Sequence, residues 1–425
     1  MIKVFKKVKQ SMRTERILVR PADENYQAMR NACRLAKSVF NTANYRIRQA
    51  FINHSEIISH STVDKELKSS DNDCYKGMPS AASAQRVIQV LGKDWKSFFA
   101  AIKDWKRAPE KYKSRPKLPN YAKHQKTFVV GRNGFKIVNG YVHLSGSNII
   151  ELKPFKIMCC KNQPFNEKAE LSVVQDIRFV PKGNCYFIEV VYKPKSLKNA
   201  VALNKSNVLG IDLGIDNLAT ITSNQQGIRP VLINGKVIKS INNKYNKDKA
   251  ELQSKGKGKH ILSKSIKRYN WVNDHLHKVS RYIIDMCLKT DSGVIVIGKN
   301  KDWKQSINIG RINNQKFVSI PHAELINKIQ YKAAEYGIEV IVREESYTSK
   351  ASAMDLDYIP THGNGDKKAF SGSRVKRGLY KASNGKLLNA DVNGCLNIIR
   401  KEFGNDFIRD LFDSGCVFQP MRVTC

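Results

Sequence analysis

The 425-residue chain has no CxxC pair: its nine cysteines stand at positions 33, 74, 159, 160, 185, 287, 395, 416 and 425. This excludes the paired-thiol hairpins that hold structural zinc or run disulfide exchange. Adjacent Cys159 and Cys160 point to opposite faces if they lie on a strand, so they do not chelate one ion together. The thiols read instead as buried and free, which fits a reducing compartment. Long apolar runs are also missing, and none approaches the roughly 18 residues that a membrane span requires. The opening MIKVFKKVKQ leads into mixed polar and apolar residues and lacks a signal-peptide core, so the chain is expected to be cytoplasmic and away from membranes. Acidic residues are scarce, with 37 Asp+Glu against 74 Lys+Arg, a net charge of +37 and a pI near 9.8. Such an imbalance attracts polyanions, nucleic acid above all. Residues 1–205 hold 39 basic and 16 acidic side chains, and the remainder is also basic, so both halves are expected to touch nucleic acid.

With 41% hydrophobic and 26% charged residues, the composition is that of a folded chain, long enough for two or three domains. Residues 1–20 alternate (Ile2, Val4, Phe5, Val8, then Ile17, Val19), predicting a strand that ends at the turn Pro21-Ala22-Asp23. From about 24 to 107 the pattern is helical. Tyr26, Met29, Ala32, Cys33, Ala36 and Phe40 fall at three- and four-residue steps, a second such stretch runs from Ala81 to about Lys106, and polar Lys68–Ser80 reads as loop. Trp95, Phe98, Phe99 and Trp105 share one helix face, the spacing of a core and not of an exposed stacking platform. The following segment is rich in cations and broken by Pro109, Pro116 and Pro119. It is an extended basic loop in which Lys111, Lys113, Arg115 and Lys117 are candidates for phosphate contact, with a solvated linker as the alternative. Short strands are expected at Phe128–Val130, Phe135–Val138, Ile149–Leu152, Leu171–Val174 and Phe187–Tyr192, as in a small antiparallel barrel. Residues 193–206 read as a linker.

The second half changes character. A buried strand over 207–212 ends in Asp212, and further strands are expected at Leu218–Ser223 and Pro230–Ile238. A basic helical stretch follows (about 242–290), then strand Val294–Ile297, a helix near 321–336 and strand Ile338–Arg343. Three consecutive strands, the first presenting an aspartate, followed by alternating β and α elements, begin an RNase H-like sheet. The expected fold class is therefore α/β and α+β multidomain. Two-metal phosphodiester hydrolysis needs carboxylates from separate elements converging on two divalent ions about 4 Å apart, and magnesium suits such hard oxygen ligands. The candidates are Asp212, Glu344 or Glu345 after the fifth strand, and Asp391 at the start of the last helix. Taken singly, each is as easily a cap or a surface charge.

Three blocks carry a resemblance. GIDLGIDNLAT (210–220), ESYTSKAS (345–352) and LNADVNGCLNIIRK (388–401) resemble the conserved blocks of the TnpB family, the OrfB products of insertion sequences, which are similar to small type V CRISPR effectors. The resemblance is specific over 207–401 and concerns layout only over 1–206. It implies a wedge-like β-barrel (1–22 and 108–205), a helical recognition insertion (23–107) and a RuvC-type nuclease domain (206–425) with a cysteine-free insertion (346–388). It also implies a monomer bound to a guide RNA from the transposon end, cutting target double-stranded DNA with two magnesium ions. Base pairing would then read the sequence, while the protein supplies cationic channels and shape.

Carried over by position, the family's first and last acids match Asp212 and Asp391. Its middle glutamate falls on Gly298, which cannot bind a metal. The compensating acid is expected on the next strand, as in members whose glutamate looks relocated: Glu345 is favoured, with Glu344 the alternative. The family's zinc ribbon is absent too, since Ser349, Lys350, Ala351 and Ser352 stand where its first pair would be and 346–390 contains no cysteine. Zinc is not expected, and the insertion must be held by other contacts or act as a mobile lid. Arg374, Lys376 and Arg377 lie within sequence reach of Asp391 as candidate phosphate holders. His275 and His277 sit two apart on a helix and do not ligate jointly. Trp271, Leu276, Val279 and Ile283 read as core, Lys255–Lys259 as a flexible basic loop, and Asp216 and Glu339 as surface charges. Two other readings stay open: an RNA-guided DNA binder that has lost cutting, and a guide-independent resolvase or transposase.

Overall fold

A computed structural model describes residues 12–145, 151–158, 174–193, 201–300, 310–361 and 369–425. They fall into two compact units, one within 10–195 and the other built on 196–425. The expected strand positions 2–8, 149–150 and 171–173, Cys159, Cys160 and linker residues 194–200 lie outside the described residues.

In the first unit, β1 (Arg13–Val19) leads into four helices, α1 (Tyr26–His54), α2 (His60–Ser69), α3 (Asp73–Lys76) and α4 (Ala81–Arg107). The 3.6-residue period of α1 places Met29, Ala32, Cys33, Ala36, Val39, Phe40 and Ala43 on one buried stripe. Ser59, Asn72 and Ser80 cap α2, α3 and α4 through side-chain oxygens that accept backbone N–H groups. The Asn72 cap is why Lys68–Ser80, expected as loop, contains a helical turn. Strands β2 (Phe128–Gly131), β3 (Phe135–Val138), β4 (Tyr141–Leu144), β5 (Phe155–Lys156), β6 (Val174–Lys182) and β7 (Cys185–Tyr192) follow. Among the described residues they form two antiparallel sheets, in the orders β1-β7-β6-β2 and β3-β4-β5. Most of β6 escaped the sequence reading because Asp176, Arg178 and Pro181 interrupt its apolar pattern. Long-range pairing with β7 along its full length overrides that weak local signal.

The second unit is organised by a six-stranded mixed sheet. Its strands are β8 (Asn204–Asp212), β9 (Asn217–Ser223), β10 (Val231–Asn234), β11 (Ser292–Gly298), β12 (Glu339–Arg343) and, after the hairpin strands β13 (Ser373–Lys376), β14 (Leu379–Lys381) and β15 (Leu387–Asn389), β16 (Met421–Val423). The spatial order is β12-β11-β8-β9-β10-β16. β8, β9 and β10 pair antiparallel, β11 and β12 join in parallel on one side, and β16 joins parallel to β10 on the other. Parallel pairing requires crossovers, and helices supply them: α5 (Lys236–Ser254) and α6 (Gly258–Lys289) before β11, α7 (Arg311–Val318) and α8 (His322–Glu335) before β12. All seven residues of β11 are buried, as expected of a strand covered on both faces. One face carries Leu209, Ile211, Ile295 and Ile297 against Leu276, Val279 and Ile283 of α6 and Leu325 and Ile329 of α8. The other carries Val208, Val294 and Val296 against Val392, Leu396 and Ile399 of α9 (Ala390–Phe403).

Several expectations change here. The strand foreseen over Pro230–Ile238 stops at Asn234, because Gly235 is wedged against the carbonyl of Ile215 and α5 starts immediately after it. Residues 204–206, read as linker, already belong to β8. Lys255–Lys259 is only a short turn, with α6 beginning at Gly258. Trp271 is half exposed and lies over the His275 ring, outside the core formed by Leu276, Val279 and Ile283. Of the described cysteines, Cys33, Cys287 and Cys395 are buried, whereas Cys74, Cys185, Cys416 and Cys425 are only partly so. No helix among the described residues is long and apolar enough to cross a membrane.

Where the resemblance would place zinc ligands, hydrogen bonds hold the chain. Asn393 Nδ2 and Asn397 Nδ2 donate to the carbonyl of Ala351 at 2.8 and 2.7 Å, and Asn397 also donates to that of Thr348 at 2.8 Å. The buried guanidinium of Arg400 donates to the carbonyls of Asp357 (2.8 Å) and Ser352 (3.3 Å) and to Asn397 Oδ1 (2.6 Å). The Asp357 carboxylate accepts the N–H of Ser352 at 2.8 Å and that of Ser371 at 3.1 Å. α9 thus carries its own clamp on the insertion. Arg400→Met, which strands these acceptors in a dry environment, is expected to destabilise the protein by about 3 kcal/mol in urea denaturation. An unchanged midpoint would show that the clamp contributes nothing.

Candidate active site

Asp212 is the last residue of β8 and shares the sheet face of Val208 and Gly210, because side chains alternate along a strand. That face meets α9. The approach is close: a Cβ at Gly210 would stand 2.7 Å from Ile399 Cγ1 and 3.0 Å from the carbonyl oxygen of Cys395, and one at Gly394 would stand 3.1 Å from Asp212 Oδ2. Only glycine fits such contacts without displacement.

Asp391 lies in the first turn of α9, where Asn389 Oδ1 caps the helix by accepting the N–H groups of Asp391 (3.0 Å) and Val392 (3.2 Å). The positive end of the helix dipole favours a carboxylate there. Asn217 Nδ2 donates to Asp391 Oδ2 at 2.7 Å, and Arg374 reaches Asp391 Oδ1 at 3.6 Å. The Asp212 carboxyl is pushed up to about 7, first by burial and then by the charge of Asp391, against the opposing pull of Arg374.

The two adjacent glutamates have different fates. β12 ends at Arg343, so both lie beyond the strand. Glu344 forms an ion pair with the buried Lys401 and accepts the N–H of Ser346 at 2.8 Å. Partial burial would raise its pKa, but these partners outweigh burial and hold it below the usual carboxylate range. Glu345 turns inward. Its backbone N–H donates to Asn300 Oδ1 at 3.1 Å and its carbonyl accepts Thr348 Oγ1 at 2.8 Å, which fixes the turn. Its Oε2 is buried with no hydrogen-bond partner. Burial, the charge of Asp212 and that of Glu344, in that order, push its carboxyl up to about 8. A Cβ at Gly298 would stand 2.5 Å from Glu345 Oε2 and would also collide with Ile398. The carboxylate of Glu345 therefore fills the space that a side chain on the end of β11 would enter.

Asp212 thus feels two other acids, Asp391 and Glu345. Among the described residues no three of His, Cys, Asp and Glu form a finished metal cage. The donor set nevertheless fits hard divalent cations: oxygen ligands only, mutually repelling, one of them buried and unpaired.

Other candidates are distributed differently. Of the three cations in the insertion, Arg374 pairs with Asp391, whereas Arg377 pairs with Asp216 and Lys376 is exposed on β13. Asp216, read from sequence as a surface charge, is half-buried and bound by both Lys239 and Arg377. In the other unit Lys111 lies 3.7 Å from Asp104 and Arg115 sits over the ring of Trp105, while Lys113 and Lys117 are exposed. His277 faces Lys328 and Tyr331, apart from buried His275. Sequence reasoning missed Asn217, Asn300 and Lys401. The capping role of Asn389 was available from its position just before the helix.

Comparison with known proteins follows the same lines. The OrfB family model of IS605 elements, described as a probable transposase, matches residues 190–304, and the Cas12f1-like TNB domain matches 322–398. Over 232 residues the chain is 27% identical to the CRISPR-associated endodeoxyribonuclease Cas12f1 of Sulfoacidibacillus thermotolerans, a match covering 51% of this chain and about half (50%) of that relative. It is 23% identical over 442 residues to the TnpB-like protein ORF457 of Acidianus two-tailed virus, covering 94% of this chain and 89% of the viral protein. Among solved structures, the cryo-EM structure of a Cas12f1–sgRNA–target DNA complex superposes with a TM-score of 0.52 at 16% identity, covering 88% of this chain and 82% of that one, and so shares the fold. With two family models on successive stretches and a TnpB-like relative aligned along nearly its whole length, this chain is a member of the TnpB family.

Proposed function

We propose that the protein is an RNA-guided DNA endonuclease of the TnpB type, in which Asp212, Glu345 and Asp391 hold two magnesium ions. The observation that carries this reading is the buried, unpaired Oε2 of Glu345, lying where a side chain from Gly298 would otherwise stand and close enough to Asp212 to raise its own pKa. The strand order of the second unit supports an RNase H-like (RuvC-type) domain over 206–425. The layout of 1–205 as a barrel from 1–22 and 108–205 around a helical insertion at 23–107 belongs to the same proposal. So do the guide RNA from a transposon end, the double-stranded DNA target, the monomeric state and the absence of zinc.

Each side chain has a part. Asn217 fixes the Asp391 carboxylate, the Glu344–Lys401 pair satisfies the neighbouring acid so that Glu345 alone turns inward, and Arg374 stands ready to take a phosphate oxygen beside Asp391. Divalent ions bound by the three acids would supply an activated water and neutralise the leaving oxygen. Lys376, Arg377, Lys111, Lys113, Arg115 and Lys117 serve as backbone contacts along the nucleic acid.

The test is a ribonucleoprotein purified with its RNA and offered a supercoiled target library with magnesium. Glu345→Ala is expected to lower cleavage at least about a hundredfold with RNA binding intact, and Glu344→Ala less than about tenfold. The reverse ranking moves the ligand by one residue. Target binding without nicking, indifferent to Asp212→Ala, leaves an RNA-guided binder only, and cutting that persists after RNA removal points to a resolvase or transposase.

Gly298→Glu is expected to be inactive by itself, because the new side chain meets Glu345 and Ile398. Adding Glu345→Ala should recover part of the cleavage rate. A fully active single variant would contradict the shared-space argument.

Raised carboxyl pKa values also have a sign. Folded Asp212 and Glu345 hold protons that the unfolded chain has released, so stability of the metal-free protein falls as pH rises from the ordinary carboxylate range towards neutrality. Thermal melts in chelator at pH 5 and pH 8 should show this decline. Asp212→Asn should flatten it and raise the melting temperature at pH 8, whereas an unaltered slope would mean that Asp212 is not the strained group.

A further inference from the structure

In the first unit, α1, α4 and the segment 115–120 enclose a cavity of about 700 Å³, within the roughly 300–1,000 Å³ range of small-molecule sites. Its apolar wall is aromatic. Phe51, Phe98 and Phe99 form a cluster with ring centroids 5.3–6.3 Å apart, backed by Trp95, which is itself buried core. The helix-face aromatics therefore divide into two roles: Trp95 packs, while Phe98 and Phe99 line an open space. The rim is cationic, with Arg48, Lys106, Arg115 and Lys117, and no acidic residue lines the cavity.

The cavity is preformed. Arg48 Nη1 and Asn44 Nδ2 both donate to the carbonyl of Pro119, at 2.8 and 3.1 Å, and Asn41 exchanges two hydrogen bonds with the backbone of Ala122. Trp95 Nε1 in turn donates to Asn44 Oδ1 at 3.0 Å. The proline-rich segment is thereby strapped across the two helices, and the mouth stays open without any ligand to order it. Arg48 also lies over the Tyr121 ring and Arg115 over that of Trp105, which adds planar groups at the edge.

Aromatic walls with a cationic rim match one ligand chemistry: a flat, electron-rich ring joined to a phosphate. We propose that this cavity takes an unstacked nucleobase from a single-stranded part of RNA, its ring against Phe98 and Phe99 and its phosphate at Lys106 and Lys117. Bases held in a duplex are not available for such insertion, whereas loops and bulges of a folded RNA splay theirs out. The choice of RNA over opened DNA rests on the guide-RNA reading above, while the base-stacking chemistry does not.

The test uses full-length protein freed of nucleic acid and synthetic probes: a single-stranded RNA 20-mer, the DNA strand of the same sequence, and a blunt RNA duplex. Two variants are read by fluorescence anisotropy. Phe98→Leu/Phe99→Leu removes the rings and keeps apolar volume, and Ile102→Trp fills the cavity while leaving the rings in place. Each is expected to weaken single-stranded RNA binding at least about fivefold, the low end for losing one stacked base, with duplex binding unchanged. Ultraviolet cross-linking of wild-type protein to the single strand should modify the peptides carrying Phe98 and Phe99. Equal loss on duplex and single strand, or no loss with a correctly folded variant, overturns the proposal. So does tighter binding of the DNA strand, which would assign the cavity to opened DNA, or absence of the cross-link. Because no cleavage is read, failure here leaves the nuclease reading standing, and an inactive Asp212–Glu345–Asp391 site would leave this result interpretable.

Discussion

Where α9 crosses β8, two backbones come so near that neither Gly210 nor Gly394 has room for a side chain. That approach is driven by ordinary apolar packing of Val392, Leu396 and Ile399 on Val208, Val294 and Val296. Its electrostatic result is unfavourable, since it presses the start of α9, with Asp391, towards the buried end of β8, with Asp212. The second unit thus uses its hydrophobic layer to hold like charges together, as functional sites do at the expense of stability. Arg374, Asn217 and the helix N-terminus relieve only part of the repulsion.

The legible parts of this arrangement were local. Apolar runs marked β8 and β11, the Asn-Ala-Asp sequence marked the start of α9, and helical periodicity marked α1 and α4. What escaped was decided by contacts far away in sequence. β6 exists because β7 pairs with it along its length. The choice between Glu344 and Glu345 does not follow from strand alternation, because the strand has already ended at Arg343; it follows from Lys401, which belongs to α9 and captures Glu344. Trp271 and Asp216 were misread for the same reason, since one lies at an exposed position of a long helix and the other meets two cations from different elements.

The cysteine-free insertion shows how a chain can do without a metal staple. Asn393, Asn397 and Arg400 lie on α9 at spacings that put them along one side of the helix, and they hold Thr348, Ala351, Ser352 and Asp357 by backbone carbonyls. Backbone acceptors are indifferent to side-chain identity, so the insertion is anchored at a few points and free to vary between them. Its cationic hairpin nevertheless returns one arginine to Asp391.

The crowding of Glu345 against the end of β11 bears on descent as well as on chemistry. An acid at position 298 and one at position 345 compete for a single volume, so a lineage cannot pass smoothly through a form that carries both. The two positions are epistatic: each substitution is deleterious alone and tolerable only in the company of the other. Chains of this type should therefore sort into two discrete populations with few intermediates, and glycine at 298 is the mark of the one to which this protein belongs.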